Sequence, residues 1–367
     1  MINSIRRSPV AGLLGTLALA LVVACTSPAP ASPTAASASQ TTDLAALAAA
    51  AKAEGGVKYF TPTLDTGLQE MLQAFTDKYG VPVTLLQLTN APLVERFYAD
   101  LQRGEAPDVI SISDPGTMQT LIDQKHIAPY ETQAVHNDYP PALKTNLPYY
   151  VPQNLGFIVF LYNTNLVSAA DAKKLTNWDT VFDPQWTDHF GMSDPNVVGG
   201  ALNTEWISQE YLGAEQWTNQ LKKLAQLHPK MYSSSGPVGS AVASGEVWVG
   251  WTADFTLDPM IAQGAPIAYG YLDPSPASTS AIALVAEGKH PNAGKLFLEW
   301  ITGPEAQTLN AAKIGQAPAN PKATDGRAVT RQSWFSPPKN VVTLKHPPTD
   351  AERTAFIEQF NKLVLGK

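Results

Sequence analysis

Few side chains in this sequence suit covalent or metal chemistry, and their spacing matches no catalytic pattern. The six histidines are scattered without metal-ligand spacing: His126, His136, His189, His228, His290 and His346. The single cysteine, Cys25, excludes an intrachain disulfide and a cysteine-cluster metal site. The sequence has no GxGxxG, Walker A, HExxH or GxSxG motif, and no recognisable His or Lys partner for a serine nucleophile. We therefore expect no enzyme activity, no cofactor and no metal site.

Polar side chains do follow several predicted β-strands at the point where each strand ends. Thr61 and Thr63 follow the first strand, and Asp114 follows the third. In open α/β sheets, ligands gather at the carboxyl ends of the strands, so we expect these three residues to contact a ligand. The alternative is local, because Asp114 precedes Pro115 and can simply begin a turn.

A second group of candidate ligand-binding residues lies in the other half of the chain. Ser233, Ser234 and Ser235 stand between a predicted strand and a helix start, where hydroxyls and free N–H groups form a neutral anion site. Trp251 and Asp254 end another strand; the indole suits an apolar or cationic group, and the carboxylate suits an amine or hydroxyl. We expect both loops to open on one edge of the sheet. The alternative makes Ser235 an N-cap, Trp251 a core residue and Asp254 a helix cap.

The charge of these loops leaves the class of ligand open. None of them contains Lys or Arg, so an aminophosphonate, a polyamine and a sugar derivative are all compatible. The whole chain carries a formal net charge of −7, which becomes −9 when Arg6 and Arg7 are removed with the first 24 residues. An acidic chain does not attract a phosphate backbone, so we expect no nucleic-acid partner.

The elements that would position these loops alternate between strands and helices. Strand patterns occur at residues 57–60, 81–86 and 108–113 in the first half, and at 156–162, 247–251 and 267–272 in the second. Amphipathic helices lie between them and end at glycines such as Gly80 and Gly104. Strand–helix–strand units at this spacing form parallel sheets with right-handed crossovers, which predicts the α/β class. The length of 367 residues favours two lobes.

The amino terminus has the pattern of an export signal. Two arginines precede an apolar run from Val10 to Ala24, shorter than the roughly 20 residues that span a membrane. The sequence Val22-Val23-Ala24-Cys25 resembles a bacterial lipobox, so we expect a signal peptide at 1–24 and a lipidated Cys25. Residues 25–42 contain no charged side chain and would form a disordered tether behind the lipidated cysteine. The alternatives are a plain signal peptide cleaved nearby and an uncleaved anchor.

Seven phrases of the sequence resemble one protein family, in the order in which they occur. They are KYG, GEAPDVISISDP, NLGFIVFLYNTNLV, NWDTVFDPQW, GMSDPNVVGG, ASGEVWVGW and KHPNAGKLFLEWITGPEAQ. They are similar to the extracellular solute-binding proteins of ABC importers, most closely the group with ferric-iron and aminoethylphosphonate binders. The resemblance implies a two-lobed periplasmic-binding-protein fold of type II, with the ligand in the cleft between the lobes.

The resemblance also implies lobe boundaries and one ligand contact. The chain would cross between lobes at 151–155 and again at 284–288. Lobe 1 would then contain residues 43–153 and 288–318, and lobe 2 residues 154–287 and 319–367. Gln153 and Asn154, at the first crossing, would face the cleft, and Asn154 would contact the ligand; the alternative for both is a solvated turn. Ferric binders of this group carry an adjacent tyrosine pair where this chain reads Trp251 to Phe255, so we expect no iron binding.

These observations predict a monomeric, lipid-anchored protein on the extracytoplasmic face of the cell membrane. It would capture a small polar solute by closure of the lobes and deliver it to the permease of an ABC transporter. One alternative is a sensor that presents its ligand to a receptor. The other is a secreted hydrolase on a similar α/β scaffold, which would consume its ligand.

The lipobox generates a prediction about the anchor. One acyl chain holds a protein to a membrane only marginally, whereas two or more hold it stably. Wild-type protein should therefore fractionate with membranes, and Cys25→Ser should impair processing and anchoring, as measured by fractionation and mass spectrometry of the mature amino terminus. A mature chain that begins elsewhere and carries no lipid would contradict the prediction.

Overall fold

The computed structural model describes residues 43–144, 146–196, 199–345 and 347–367, and for residues 199–204 it describes the backbone only. The predicted signal peptide at 1–24, the lipidated Cys25 and the tether at 25–42 lie outside the described residues. None of the helices in the described part of the chain is both long and apolar enough to cross a membrane.

Helices and strands alternate along the described chain, as the sequence pattern predicts. The α-helices are α1 (Leu44–Glu54), α2 (Gly67–Tyr79), α3 (Asn90–Gln102), α4 (Pro115–Asp123), α5 (Gln133–Asp138), α6 (Ala169–Ala172), α7 (Gly199–Leu212), α8 (Ala214–Gln226), α9 (Ser235–Ser244), α10 (Asp258–Ala262), α11 (Pro291–Ile301), α12 (Pro304–Ile314) and α13 (Asp350–Phe360). The strands are β1 (Val57–Thr61), β2 (Val83–Gln87), β3 (Val109–Ile112), β4 (Ile127–Ala128), β5 (Val151–Asn163), β6 (Phe190–Ser193), β7 (Lys230–Tyr232), β8 (Val249–Ala253), β9 (Ile267–Gly270), β10 (Ser275–Val285), β11 (Ala317–Pro318) and β12 (Val341–Val342).

The first half of the chain, together with β10, builds a sheet in the order β2-β1-β3-β10-β5. Strands β1, β2 and β3 are parallel, because α2 and α3 return the chain to the same end of the sheet. Helix α2 ends at Gly80, whose φ of 65° is the left-handed conformation that glycine adopts readily. The loops that follow β1, β2 and β3 therefore open on one edge of this sheet.

The second half builds a sheet in the order β5-β8-β6-β7. Strand β6 is parallel to both β7 and β8, with Ser193 opposite Tyr232 and Met192 opposite Trp251. The segments after β6, β7 and β8 therefore leave the sheet on the same edge. This register confirms that residues 233–235 and the segment after Trp251 share one edge.

Strand β5 belongs to both sheets, and β10 runs beside its first part. Residues of β5 up to Phe157 pair with β10, and those from Ile158 onward pair with β8 and β9. In β10, Leu284 pairs with Val109 of β3, so it already lies within the first sheet. This pairing favours a second crossing near Ser280, earlier than the expected 284–288; the lobe boundaries themselves stay predictions.

Trp251 lies in the core of the second sheet and not at its surface. Its side chain is 2% exposed and stacks on Phe160, with ring centroids 5.3 Å apart and planes 12° from parallel. Phe182 and Trp217 meet its ring edge-on. Trp251 is the central residue of β8, and both faces of this strand are covered, which explains why its side chain is buried. We therefore place Trp251 outside the set of ligand contacts.

The burial of Trp251 predicts a stability effect. Trp251→Ala should lower the free energy of unfolding by about 3–5 kcal/mol, since the change leaves a cavity between three aromatic rings. Trp248→Ala is the matched control, because Trp248 is only half-buried and stacks on the ring of His189, which is itself half-buried. Urea unfolding of the full chain compares the two variants. Equal midpoints would argue against a core role for Trp251.

Candidate functional site

An open cleft of about 400 Å³ lies beside the crossing strands, bordered by loops from both sheets. It is lined by Pro62, Thr63, Leu64, Asp65, Ser113, Asn154, Leu155, Gly156, Phe255, Thr256, Pro259, Ser278, Thr279, Ser280, Ile314 and Gln316. This volume falls within the usual range for small-molecule sites. Two of the predicted contacts, Thr63 and Asn154, line the cleft.

The wall on the side of the first sheet is the loop after β1. Gln87 fixes this loop, because its Nε2 donates to the carbonyl oxygen of Thr63 at 2.8 Å and to that of Asp65 at 3.0 Å. The Oδ1 atom of Asp65 accepts from the N–H of Gly67 at 2.6 Å. Thr61 is fully buried, and its hydroxyl accepts from the N–H of Thr63 at 3.3 Å. Thr61 thus shapes the loop and does not line the cleft.

Hydroxyls and amides of the crossing strands form the floor of the cleft. The Nδ2 of Asn154 donates to Oε1 of Gln316 at 2.6 Å, and the hydroxyls of Ser113 and Ser280 lie 3.3 Å apart. Ser278 donates to the carbonyl oxygen of Gly156 at 3.1 Å. Gln153, the neighbour of Asn154, is buried and accepts from the hydroxyl of Tyr59 instead. Adjacent residues of β5 therefore point in opposite directions, as the pleat requires.

The wall on the side of the second sheet follows β8. Phe255 lines the cleft with a ring that is 42% exposed. Thr256 and Pro259 continue this wall, and the hydroxyl of Thr256 donates to the carbonyl oxygen of Ala253 at 3.0 Å. An aromatic side chain does therefore border the cleft, but it is Phe255 and not Trp251.

Asp254 has its charge satisfied inside the protein, contrary to the expectation that it meets a ligand. Its carboxylate is 1% exposed and lies 2.9 Å from Nη1 of the equally buried Arg327. It also accepts from the N–H of Phe157 at 3.0 Å and from the hydroxyl of Tyr271 at 3.3 Å. Burial raises the pKa of the Asp254 carboxyl, and the Arg327 guanidinium opposes that shift. Asp254 thus anchors the loop that carries Phe255.

Asp114 likewise has local partners. Its Oδ2 atom accepts from the N–H and the hydroxyl of Thr117, both at 2.8 Å, so it caps α4. Its Oδ1 atom lies 2.9 Å from Nη2 of Arg353 in α13. Asp114 does not line the cleft, whereas its neighbour Ser113 does.

The three serines before α9 do not line the cleft either. Ser233 and Ser234 are exposed and Ser235 is half-buried. Ser234 is the N-cap of α9, but its side chain makes no capping hydrogen bond. These serines lie on the same sheet edge as the segment after β8. Their contact with a solute stays a prediction.

The cleft contains residues that the strand-end rule missed. Ser278, Thr279 and Ser280 lie in the middle of β10, next to a break in the register between Ser280 and Ala281. A run of three hydroxyl residues directly before the apolar run from Ala281 to Val285 is the signal that could have identified them. Gln316 had no comparable signal in the sequence.

Among the described residues, no group of three or more His, Cys, Asp or Glu side chains is arranged to hold a metal ion. Asp65 is the one ionisable side chain among the described residues that line the cleft. The arrangement offers hydroxyls, amides and a single carboxylate for hydrogen bonding of a small molecule.

The fold and the sequence both have known relatives. The chain is similar to iron-bound HitA from Pseudomonas aeruginosa, with 18% identity, a TM-score of 0.64, and coverage of 84% of this chain and 99% of that one. It is similar to the Trichodesmium protein IdiA (FutA) in complex with iron and citrate, with 17% identity, a TM-score of 0.70, and coverage of 84% and 99%. A putative extracellular solute-binding protein from Bordetella parapertussis gives 16% identity, a TM-score of 0.72, and coverage of 85% and 99%. These likenesses confirm the type II periplasmic-binding-protein fold.

Sequence comparison identifies the family. No functionally curated protein matches the chain at a significant level. The family model described as "Bacterial extracellular solute-binding protein" matches residues 70–336, which is most of the chain. The chain therefore belongs to the bacterial extracellular solute-binding proteins, and it binds a small solute for an ABC transporter.

Proposed function

We propose that the solute binds in the cleft beside β5 and β10, and that it is a small polar molecule other than ferric iron. The chemistry of the lining supports this proposal. Its polar side chains are hydroxyls and amides apart from Asp65: Thr63, Ser113, Asn154, Thr256, Ser278, Thr279, Ser280 and Gln316. Such groups both donate and accept hydrogen bonds, so they suit a small solute with mixed polar groups.

Capture follows from the two walls of the cleft. Thr63 and Asp65 contribute from the loop after β1, and Phe255 and Thr256 contribute from the segment after β8. A solute that contacts both walls binds the closed arrangement better than the open one, and this difference alone drives closure. The closed complex is then the form that docks on the permease.

The proposal includes a lipid anchor at Cys25, an extracytoplasmic location and a monomeric state. The lipobox supports the anchor, and the family supports the location. Presentation of the ligand to a sensor uses the same cleft and is separated from import by uptake assays. A hydrolase is the third candidate function. The described lining supplies Asp65 but no His, Lys or Cys that could activate a nucleophile.

Binding by the hydroxyl floor is tested with the full chain purified in a nonionic polyoxyethylene detergent. Thermal unfolding is followed against a panel of amino acids, amines, sugars and phosphonates. A true ligand at about 100 times its Kd should stabilise the fold by about 2.7 kcal/mol and be recovered unchanged. Ser280→Ala should weaken its binding by about 0.5–1.5 kcal/mol, because one neutral hydrogen bond is lost.

The control for this measurement is Ser333→Ala, since Ser333 is exposed and lies outside the cleft lining. The control should leave both Tm and affinity unchanged. Equal affinity in the Ser280 and Ser333 variants would place the solute elsewhere. Consumption of the solute, lost with a single side chain, would favour the hydrolase.

The absence of tyrosine from the described cleft lining predicts no phenolate complex with ferric iron. Tyr149 and Tyr150 form the adjacent tyrosine pair of this sequence, and burial raises the pKa of Tyr150 to about 12, which disfavours its phenolate. Ferric citrate added to the full chain should therefore give no visible charge-transfer band. A stable band that disappears in Tyr150→Phe would overturn this expectation.

A further inference from the structure

The cleft has one charged side chain among its described lining residues, and part of that charge is unused. Oδ1 of Asp65 accepts from the N–H of Gly67 at the start of α2, whereas Oδ2 has no hydrogen bond within the described structure. No Lys or Arg is among the described residues that line the cleft, and two cations of other elements have carboxylate partners of their own. Lys313 lies 2.8 Å from Glu70, and Arg353 lies 2.9 Å from Asp114. The local charge of the cleft is therefore negative.

Large apolar side chains are exposed on both walls of the same cleft. Leu64 is 61% exposed and stands next to Asp65, and Phe255 is 42% exposed on the other wall. Leu155, Pro259 and Ile314 add further apolar surface. Exposed side chains of this size cost free energy in water, so their concentration in a cleft indicates a ligand with hydrocarbon surface. The hydroxyl floor alone does not account for them.

We propose that the solute of this cleft is a small organic cation with a hydrocarbon face. Its charge lies between the carboxylate of Asp65 and the ring of Phe255, and its polar end reaches the hydroxyl floor. A cation is attracted both by a carboxylate and by the face of an aromatic ring. The net charge of −7 draws cations toward the protein as well. This inference rests on the proposed function, because it assigns a substrate class to the same cleft.

Alternative substrate classes fit these observations less well. An anionic solute would meet Asp65 and no cationic side chain in the described lining. A fully hydroxylated sugar would leave Leu64 without an apolar partner. A metal cation would gain one carboxylate and no tyrosine, and it would face the apolar side chains directly.

The test uses three related probes on the full chain in polyoxyethylene detergent, with binding measured by calorimetry. Choline carries the charge and the methyl groups, 3,3-dimethylbutan-1-ol has the same shape without the charge, and ethanolamine has the charge without the methyl groups. Choline should bind at least about tenfold more tightly than either probe. The charge and the apolar face should each contribute to its affinity.

Substitutions of Asp65 and Phe255 test which side chain recognises the charge and which the apolar face of the probe. Asp65→Asn should weaken choline about tenfold or more and leave 3,3-dimethylbutan-1-ol unchanged, whereas Asp123→Asn, an exposed carboxylate on α4, should change neither. Phe255→Leu should weaken choline by about 2- to 30-fold, the range expected for a cation over an aromatic ring. Phe255→Tyr should restore binding, because it keeps the ring.

Each remaining outcome decides against the inference in a distinguishable way. If no cation binds but a neutral or anionic solute binds and is weakened by Ser280→Ala, the substrate class is wrong and the proposed function stands. If choline binds equally well to wild type and Asp65→Asn, the charge contact is wrong. If no solute of any class binds, the inference and the proposed cleft function both fail.

Discussion

The buried carboxylate of Asp254 is the interaction on which the cleft depends. It joins three segments far apart in the chain: the N–H of Phe157 in β5, the hydroxyl of Tyr271 beyond β9, and the guanidinium of Arg327 in the irregular segment after α12. Removing one partner of a buried ion pair costs about 3–5 kcal/mol, because the other charge is left without compensation. The pair therefore fixes one specific arrangement of the crossing strand, the second sheet and the C-terminal segment.

That arrangement determines what the neighbouring residue does. Because Asp254 is held inward, Phe255 is directed toward the cleft, where its ring stays 42% exposed. The opposite loop is held in a comparable way by Gln87, which bonds two of its carbonyl oxygens. Each wall is thus supported by a polar side chain that does not line the cleft. Pre-formed walls of this kind reduce the ordering entropy that a solute must overcome.

Local patterns in the sequence predicted the elements well and the side-chain roles less well. The strand–helix alternation and the shared edge after β7 and β8 followed from periodicity and parallel pairing. The burial of Trp251 was not predicted, because a strand that is covered on both faces carries apolar residues in its middle as well as at its end. The buried ion pair of Asp254 was not predicted either, because its partner Arg327 lies in a segment without a periodic pattern. The hydroxyls of β10 were missed because they lie within a strand, not at its carboxyl end.

Gly156 on the crossing strand controls how deep the cleft is. A β-carbon built there would lie 3.2 Å from the hydroxyl oxygen of Ser278 and 3.5 Å from the ring of Phe255, so the space above it exists only because glycine has no side chain. Its backbone does not need glycine, since no left-handed φ is recorded at this position. A single substitution at this position can therefore change the size of the molecule that fits, while the strand pairing is preserved. A larger residue at this position would fill the cleft from its floor and leave room only for a smaller solute.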